Sequence, residues 1–203
     1  MYESGYSLRM FQILENELIN YFNYIPIEYY SGNKRKDIFS PRLSELLLRI
    51  CCQVDIFFRN WDAVQNKNLG MSIDKLKFGN YKAIDMILDD DDNKIKIIYT
   101  DEILKPFNNW KLNDPAWWTA YNHVKHNGFD YKTDGNLFNV IESLSALFLL
   151  NCIHEKTQLQ LVKYGYIKIQ NLSDYRSIVE GNMDVSSYPN PYITSQIFEL
   201  ERF

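Results

Sequence analysis

An amphipathic pattern over residues 40–61 constrains the fold of this chain more than any other feature of its sequence. Ser40-Pro41 is a strong helix start, because serine caps free amide groups and proline fits the first helical position. Apolar side chains then recur every three or four residues for about six turns. They are Leu43, Leu46, Leu47, Ile50, Val54, Phe57, Phe58 and Trp61. We therefore predict a long helix that forms the spine of the core.

Three other segments predict helices that could pack on this spine. Residues 6–24 carry apolar side chains at helical spacing. Asp114-Pro115 predicts the start of a helix over 115–126, which Asn127-Gly128 would cap at its C-terminal end. Residues 136–154 are apolar on nearly all sides, which is typical of a central helix packed from several directions.

The predicted fold is mainly α, a single domain over residues 1–203 built as a bundle of four to five helices. Alternating apolar residues at 84–88 and 95–99 flank a DDDDN turn, which predicts a β-hairpin insertion at about 80–100. A strand-containing C-terminal segment is expected at about 158–203. Within it, residues 159–170 suggest a hairpin or a lone strand, and residues 186–203 suggest an irregular tail. A short helix is expected at 72–79.

Composition narrows the classes of function. A net charge of −4 argues against broad electrostatic binding of nucleic acid, although a local basic patch is compatible with it. Three cysteines in apolar runs fit a reducing compartment. The N-terminus lacks a signal-peptide pattern, and the longest apolar stretch is far below the roughly 20 residues of a membrane span. We expect a cytoplasmic protein with no membrane contact, no cofactor and no metal site.

Residues 115–128, PAWWTAYNHVKHNG, are the most promising place for chemistry. On a helix, Trp118, Asn122, Lys125 and His126 would share one face, whereas His123 would point elsewhere. A histidine exchanges protons near neutral pH, and a lysine stabilises negative charge that develops on phosphate. Asn122 could orient the imidazole or bind a phosphate oxygen. The alternative is that Asn122 and His126 only cap carbonyl groups in the last turn.

A polar stripe also runs along the predicted spine helix. Arg42, Glu45, Arg49 and Gln53 are spaced by three and four residues, so they lie on one side of that helix. The stripe could supply cations to a neighbouring site. The alternative is a solvated surface with local ion pairs.

The segment YNHVKH, residues 121–126, resembles the signature of the HEPN superfamily of small helical bundles. That signature has Arg, then a polar residue, three spacers and His, and here Asn122 and His126 match its last two positions. The chain also resembles a group of uncharacterised bacterial proteins in WWxAYNxVKH, residues 117–126, and in RLSELLLRICC, residues 42–52. Tyr121 stands where the signature has Arg, and this departure puts catalysis in doubt.

The resemblance implies a protein of a bacterial defence or toxin-type system that cuts RNA without a metal. Asn122, Lys125 and His126 would be catalytic, with His126 as the general acid or base. Substrate-binding residues would be Arg42, Glu45, Arg49 and Tyr121. A homodimer with Trp118 at its interface is expected, because family members dimerise through this helix.

Two alternatives to an endoribonuclease stay open at this point. One is a catalytically silent HEPN-like module that binds a nucleotide, RNA or a protein partner. The other is an unrelated helical interaction domain, in which the polar stretch serves only packing and capping.

Overall fold

The computed structural model describes residues 4–60, 94–108, 114–154, 157–188 and 192–201. The helix predicted at 72–79, the end of the spine helix beyond residue 60 and the first strand of the predicted hairpin lie outside these residues.

Within the described residues, four long helices form the body of the fold: α1 (Ser4–Phe22), α2 (Pro41–Asn60), α3 (Ala116–Asn127) and α4 (Leu137–Ile153). Two short helices follow, α5 (Gln158–Lys163) and α6 (Leu172–Val179). Single turns of 3-10 helix lie at Ile27–Tyr29 and Val185–Ser187, and a longer one at Gly32–Asp37. Helix α4 is central and contacts α1, α2 and α3. The predicted class, a mainly helical bundle with a small β appendage, is confirmed.

The polar side chains of α4 explain how a helix can be buried on nearly every side. Ser143, Ser145 and Asn151 are all buried. Each donates a hydrogen bond to a backbone carbonyl three or four residues earlier in the same helix, at 3.0, 2.8 and 2.8 Å. Their donor groups are therefore satisfied locally, and α4 can face apolar neighbours all round.

The predicted start of α2 is confirmed. For α3, the predicted C-terminal cap at Asn127-Gly128 is confirmed in position, because Gly128 is the C-cap residue, whereas the predicted N-cap is wrong. The Ser40 hydroxyl accepts a hydrogen bond from the Leu43 amide at 3.2 Å. Helix α3 instead starts after Pro115, which occupies the N-cap position, so Asp114 is not the cap. Gly128 has φ −60° and ψ −18°, a right-handed conformation. The chain therefore continues beyond α3 in further turns instead of reversing at a left-handed glycine.

A four-stranded antiparallel sheet joins two distant parts of the chain. Its strands are β1 (Lys94–Ile97), β2 (Ile103–Leu104), β3 (Ile193–Thr194) and β4 (Phe198–Glu201), in the order β2-β1-β4-β3. In β1, the alternate residues Ile95 and Ile97 are buried. They lie opposite Leu200 and Phe198 of β4. The predicted irregular tail is therefore wrong, because its apolar residues pair with β1.

The segment predicted as a hairpin or strand at 159–170 is mostly the helix α5 and its C-terminal turn. Gly165 adopts φ 78°, a left-handed conformation that glycine tolerates. The Tyr166 amide donates to the Leu161 carbonyl at 2.8 Å, and the Gly165 amide donates to the Val162 carbonyl at 3.1 Å. These are the two bonds of a Schellman motif. Strand character is limited to Ile167, which forms an isolated bridge with Ile193.

Candidate functional site at the C-terminal end of α3

The buried face of α3 fixes the orientation of the candidate site. Trp117, Ala120, Tyr121 and Val124 are buried, as predicted, whereas Ala116 is exposed. The Trp117 indole nitrogen donates to the Pro106 carbonyl at 2.8 Å. Because residues four apart share a helix face, this packing determines which residues of the last turn face solvent.

Trp118 does not lie on the polar face that the sequence suggested. It is 2% exposed. Its ring packs between those of Trp117 and Tyr121, with centroid distances of 5.8 and 4.8 Å. Three-residue spacing from Tyr121 brings Trp118 onto the buried side. The expectation that Trp118 is available at a dimer interface is therefore wrong for this conformation.

Three predicted residues do lie together at the end of α3. Lys125 and His126 are exposed, and Asn122, one turn earlier, is partly buried. The Lys125 ammonium lies 5.2 Å from the centroid of the Tyr121 ring, within the range of a cation–π contact. The last turn of the helix therefore exposes an ammonium group and an imidazole on two consecutive residues.

Tyr121, at the signature Arg position, contacts α2 rather than solvent. It is 3% exposed, and its hydroxyl lies 3.8 Å from the Cys52 sulfur. Burial, and then the neighbouring Cys52, raises the pKa of Tyr121 above its usual range. The residue is therefore neutral at physiological pH and carries no charge that could replace a guanidinium.

The stripe on α2 does not approach α3 as a unit. Arg49 forms an ion pair with Glu17 of α1, with 2.5 Å between nitrogen and oxygen. Arg42 is exposed near the start of α2. Glu45 is also exposed, but it lines a groove between α2 and the end of α3, together with Val124 and Lys132. Of the three charged residues predicted on α2, Glu45 is the one that the structure brings to the α3 end.

The groove beside Glu45 is mainly apolar. Its volume is about 540 Å³. It is lined by Phe39, Ser40, Pro41, Ser44, Glu45, Leu48, Val124, Gly128 and Lys132. One acidic and one basic side chain thus border an apolar floor next to the exposed end of α3.

His123 has a role that the sequence pattern did not indicate. Its Nδ1 lies 2.7 Å from a carboxylate oxygen of Asp134, and its side chain is 41% exposed. The ring also stacks on Tyr131, with a centroid distance of 4.2 Å and an interplanar angle of 23°. Asp134 lies in the turns after α3, so no helical spacing relates it to His123. The carboxylate fixes one ring nitrogen and thereby orients the other.

A second charged cluster lies between the 3-10 turn at Gly32–Asp37, the β1–β2 turn and α4. Arg35 is 1% exposed and lies 2.9 Å from a Glu102 carboxylate oxygen. Its Nε donates to the Tyr30 carbonyl at 2.8 Å. Burial, followed by the nearby Glu102, raises the pKa of Glu142 on α4 to about 7. The cluster joins three elements and shares no residue with the candidate site at the end of α3.

Comparisons with known proteins give no family for this chain. It matches no protein-family model, no curated protein and no solved structure. In the described part of the chain, no helix is both long and apolar enough to span a membrane. The described residues also contain no cluster of three or more His, Cys, Asp or Glu side chains suited to a metal ion.

Proposed function

We propose that this chain is a HEPN-like helical module that binds RNA phosphates through the C-terminal end of α3 without cutting the RNA. The observation that carries the proposal is the state of Tyr121. At the position of the signature Arg, the chain has a buried, neutral side chain that contacts Cys52. The role in a bacterial defence or toxin-type system, which the resemblance implies, would then be recognition.

The cations at this end of the molecule support binding. Lys125, His126 and Lys132 are all exposed within eight residues of the chain. Two acidic side chains near these cations already have partners. Asp134 contacts His123, and the Asp130 carboxylate accepts a hydrogen bond from the side-chain amide of Asn127. A local basic surface can therefore attract phosphate despite the net charge of −4.

A metal-independent ribonuclease is the second candidate, and the exposure of His126 beside Lys125 favours it. In that case His126 would exchange a proton with the ribose 2′-hydroxyl or the leaving 5′-oxygen. Lys125 would stabilise the charge that develops on the phosphate, and Asn122 would orient the substrate. Arg49 is not available for this role while it pairs with Glu17.

Fluorescence anisotropy with a short labelled oligoribonucleotide, in the presence of a chelator, tests the proposal. We expect wild-type protein to bind without cleaving. Lys125→Ala should weaken binding and lower the slope of log affinity against log salt by about 0.7, the value for one phosphate contact on a single strand. Lys163→Ala is the matched control, because Lys163 also lies in the last turn of an exposed helix end, that of α5.

Gel analysis of the same mixtures separates the two candidates. If the wild-type protein cleaves the RNA and His126→Ala does not, the nuclease becomes the preferred function and the binding module is rejected. Absence of RNA binding by wild type would refute both. The homodimer that the resemblance implies stays a prediction, which light scattering of the purified chain would measure.

A further inference from the structure

The turns that follow α3 carry exposed aromatic rings next to the cations described above. Phe129 is 91% exposed, the highest value among the large apolar side chains in the described part of the chain. It lies just beyond α3, which ends at Asn127, and is separated from the helix by Gly128 alone. A single exposed apolar residue needs no explanation by itself. Here a second aromatic side chain, Tyr131, lies two residues further on and is 41% exposed.

The turns hold these rings in a defined arrangement. The Tyr131 amide donates to the Asn127 carbonyl at 3.2 Å, and the Asp134 amide donates to the Tyr131 carbonyl at 3.0 Å. The Tyr131 ring stacks on a face of the His123 ring, and an Asp134 carboxylate oxygen lies 2.7 Å from Nδ1 at the edge of that ring. Tyr131 is thus fixed by a ring contact and by the backbone, while part of its surface stays accessible.

Aromatic rings beside cations are the usual means of holding single-stranded nucleic acid. Unpaired bases stack on the rings, and lysine side chains follow the phosphates. A base within a duplex has no free face for such stacking. At the end of α3, Lys125 and His126 precede the exposed ring of Phe129, and Lys132 follows Tyr131. The two exposed aromatic side chains, separated by Asp130, are thus flanked by basic side chains on both sides in the sequence, which matches that chemistry.

We propose that Phe129 and the Tyr131–His123 stack form a base-stacking platform that selects unpaired RNA over duplex RNA. This proposal rests on the proposed function, because Lys125 and His126 would hold the phosphates of the same strand. In this arrangement the turns after α3 contact the bases, and the groove beside Glu45 does not.

Substitutions at Phe129 distinguish stacking from simple apolar contact. The probes are one short labelled oligoribonucleotide and the duplex that it forms with its complement. We expect Phe129→Leu to weaken binding of the single strand about tenfold, since a base–aromatic contact is lost. Phe129→Trp should bind at least as tightly as wild type. Tyr24→Leu is the matched control, because Tyr24 is 87% exposed and lies in the turn after α1.

Each outcome has a defined meaning. Unchanged single-strand affinity in Phe129→Leu, or equal affinity of wild type for strand and duplex, would overturn the stacking proposal. If Lys125→Ala still weakens binding in that case, the proposed function stands without the platform. Loss of affinity in Phe129→Leu that Phe129→Trp restores would support the platform. If Phe129 instead served to bind an apolar segment of a protein, Phe129→Leu would leave the affinity for RNA unchanged.

Discussion

At the scale of single residues, the environment of a charged group decides what that group can do. Arg49 pairs with Glu17 at a half-exposed site, where an ion pair contributes little to stability. Arg35 is buried with Glu102 and close to Glu142, and its second terminal nitrogen has no hydrogen-bond partner among the residues that the structure describes. Arg35 comes from the polar stretch GNKRKD, residues 32–37, whereas Arg49 lies within the apolar run LLLRICC, residues 46–52. Only the contacts from distant residues make one a surface ion pair and the other a buried charge.

Glu142→Gln should change how stability depends on pH. The groups that act on Glu142 are Glu102, Arg35 and Lys36. In the folded chain its pKa is about 7, against 4.5 for an unperturbed group, so the native state binds the extra proton between these values. Stability from this group is therefore present below about pH 4.5 and lost as pH rises through about 7.

Urea unfolding at about pH 5 and about pH 8 tests this linkage. The stability of Glu142→Gln relative to wild type should rise by roughly 2–3 kcal/mol between these two conditions. Glu45→Gln, an exposed glutamate on α2, is the matched control. A constant difference between Glu142→Gln and wild type across this range would contradict the prediction.

At the scale of elements, the starts of α2 and α4 lie side by side. Phe39 and Asn136 form an isolated antiparallel bridge. The Leu137 amide donates to the Ile38 carbonyl at 2.8 Å, and the Ser40 amide to the Gly135 carbonyl at 3.4 Å. The bridge aligns the first turns of the two helices, whose pairing is a major contact of the bundle.

Gly135→Ala should destabilise the protein by about 3 kcal/mol or more, because added volume in a tight contact forces the backbone to shift. A Cβ atom at this position would lie 1.9 Å from the Ser44 hydroxyl oxygen and 2.7 Å from the Ser44 Cα. Thermal or urea unfolding measures the loss. At Gly5 the nearest atom to an added Cβ is 3.9 Å away, so Gly5→Ala is the control and should be neutral or slightly stabilising. Equal stability of the two variants would contradict this prediction, because it would show that the backbone near Gly135 accommodates the added Cβ atom at no cost in stability.

At the scale of the whole molecule, α1 and the C-terminal strands are joined by one buried carboxylate. Glu15 is 0% exposed. One of its oxygens accepts hydrogen bonds from the amides of Gln196 and Ile197, at 3.1 and 3.0 Å. These amides lie in the turn between β3 and β4, so the bond connects the two ends of the described chain.

Glu15→Ala should loosen the β3–β4 turn, because it removes the acceptor of the Gln196 amide and one of the two acceptors of the Ile197 amide, which also donates to the Ser195 hydroxyl. We expect a loss of about 1–3 kcal/mol in the free energy of unfolding. Hydrogen exchange of the Gln196 and Ile197 amides should become faster than in wild type. Glu15→Gln keeps an acceptor oxygen and should retain most of the protection, whereas equally fast exchange in all three proteins would argue against the bond.

The candidate site was predicted only in part. Helical spacing alone placed Asn122, Lys125 and His126 at one end of a helix, and the structure agrees with that placement. It could not show that Trp118 faces the core, because α3 packs against both α2 and α4 and buries more than one narrow stripe. Nor could it pair His123 with Asp134 or Arg35 with Glu102, since those partners come from separate turns of the chain.

The sequence by itself determined the mainly helical class, the bounds of α1 and α4 and the start of α2 to within about two residues. It could do so because helix periodicity and caps are local properties of the chain. The helix α5 and the Gly165 turn within 159–170 are also local, although the apolar pattern there suggested a strand. Only the tertiary structure decided the partners of β1 and the burial of Tyr121 and Arg35. Each of these depends on contacts between residues far apart in sequence, which no local pattern encodes.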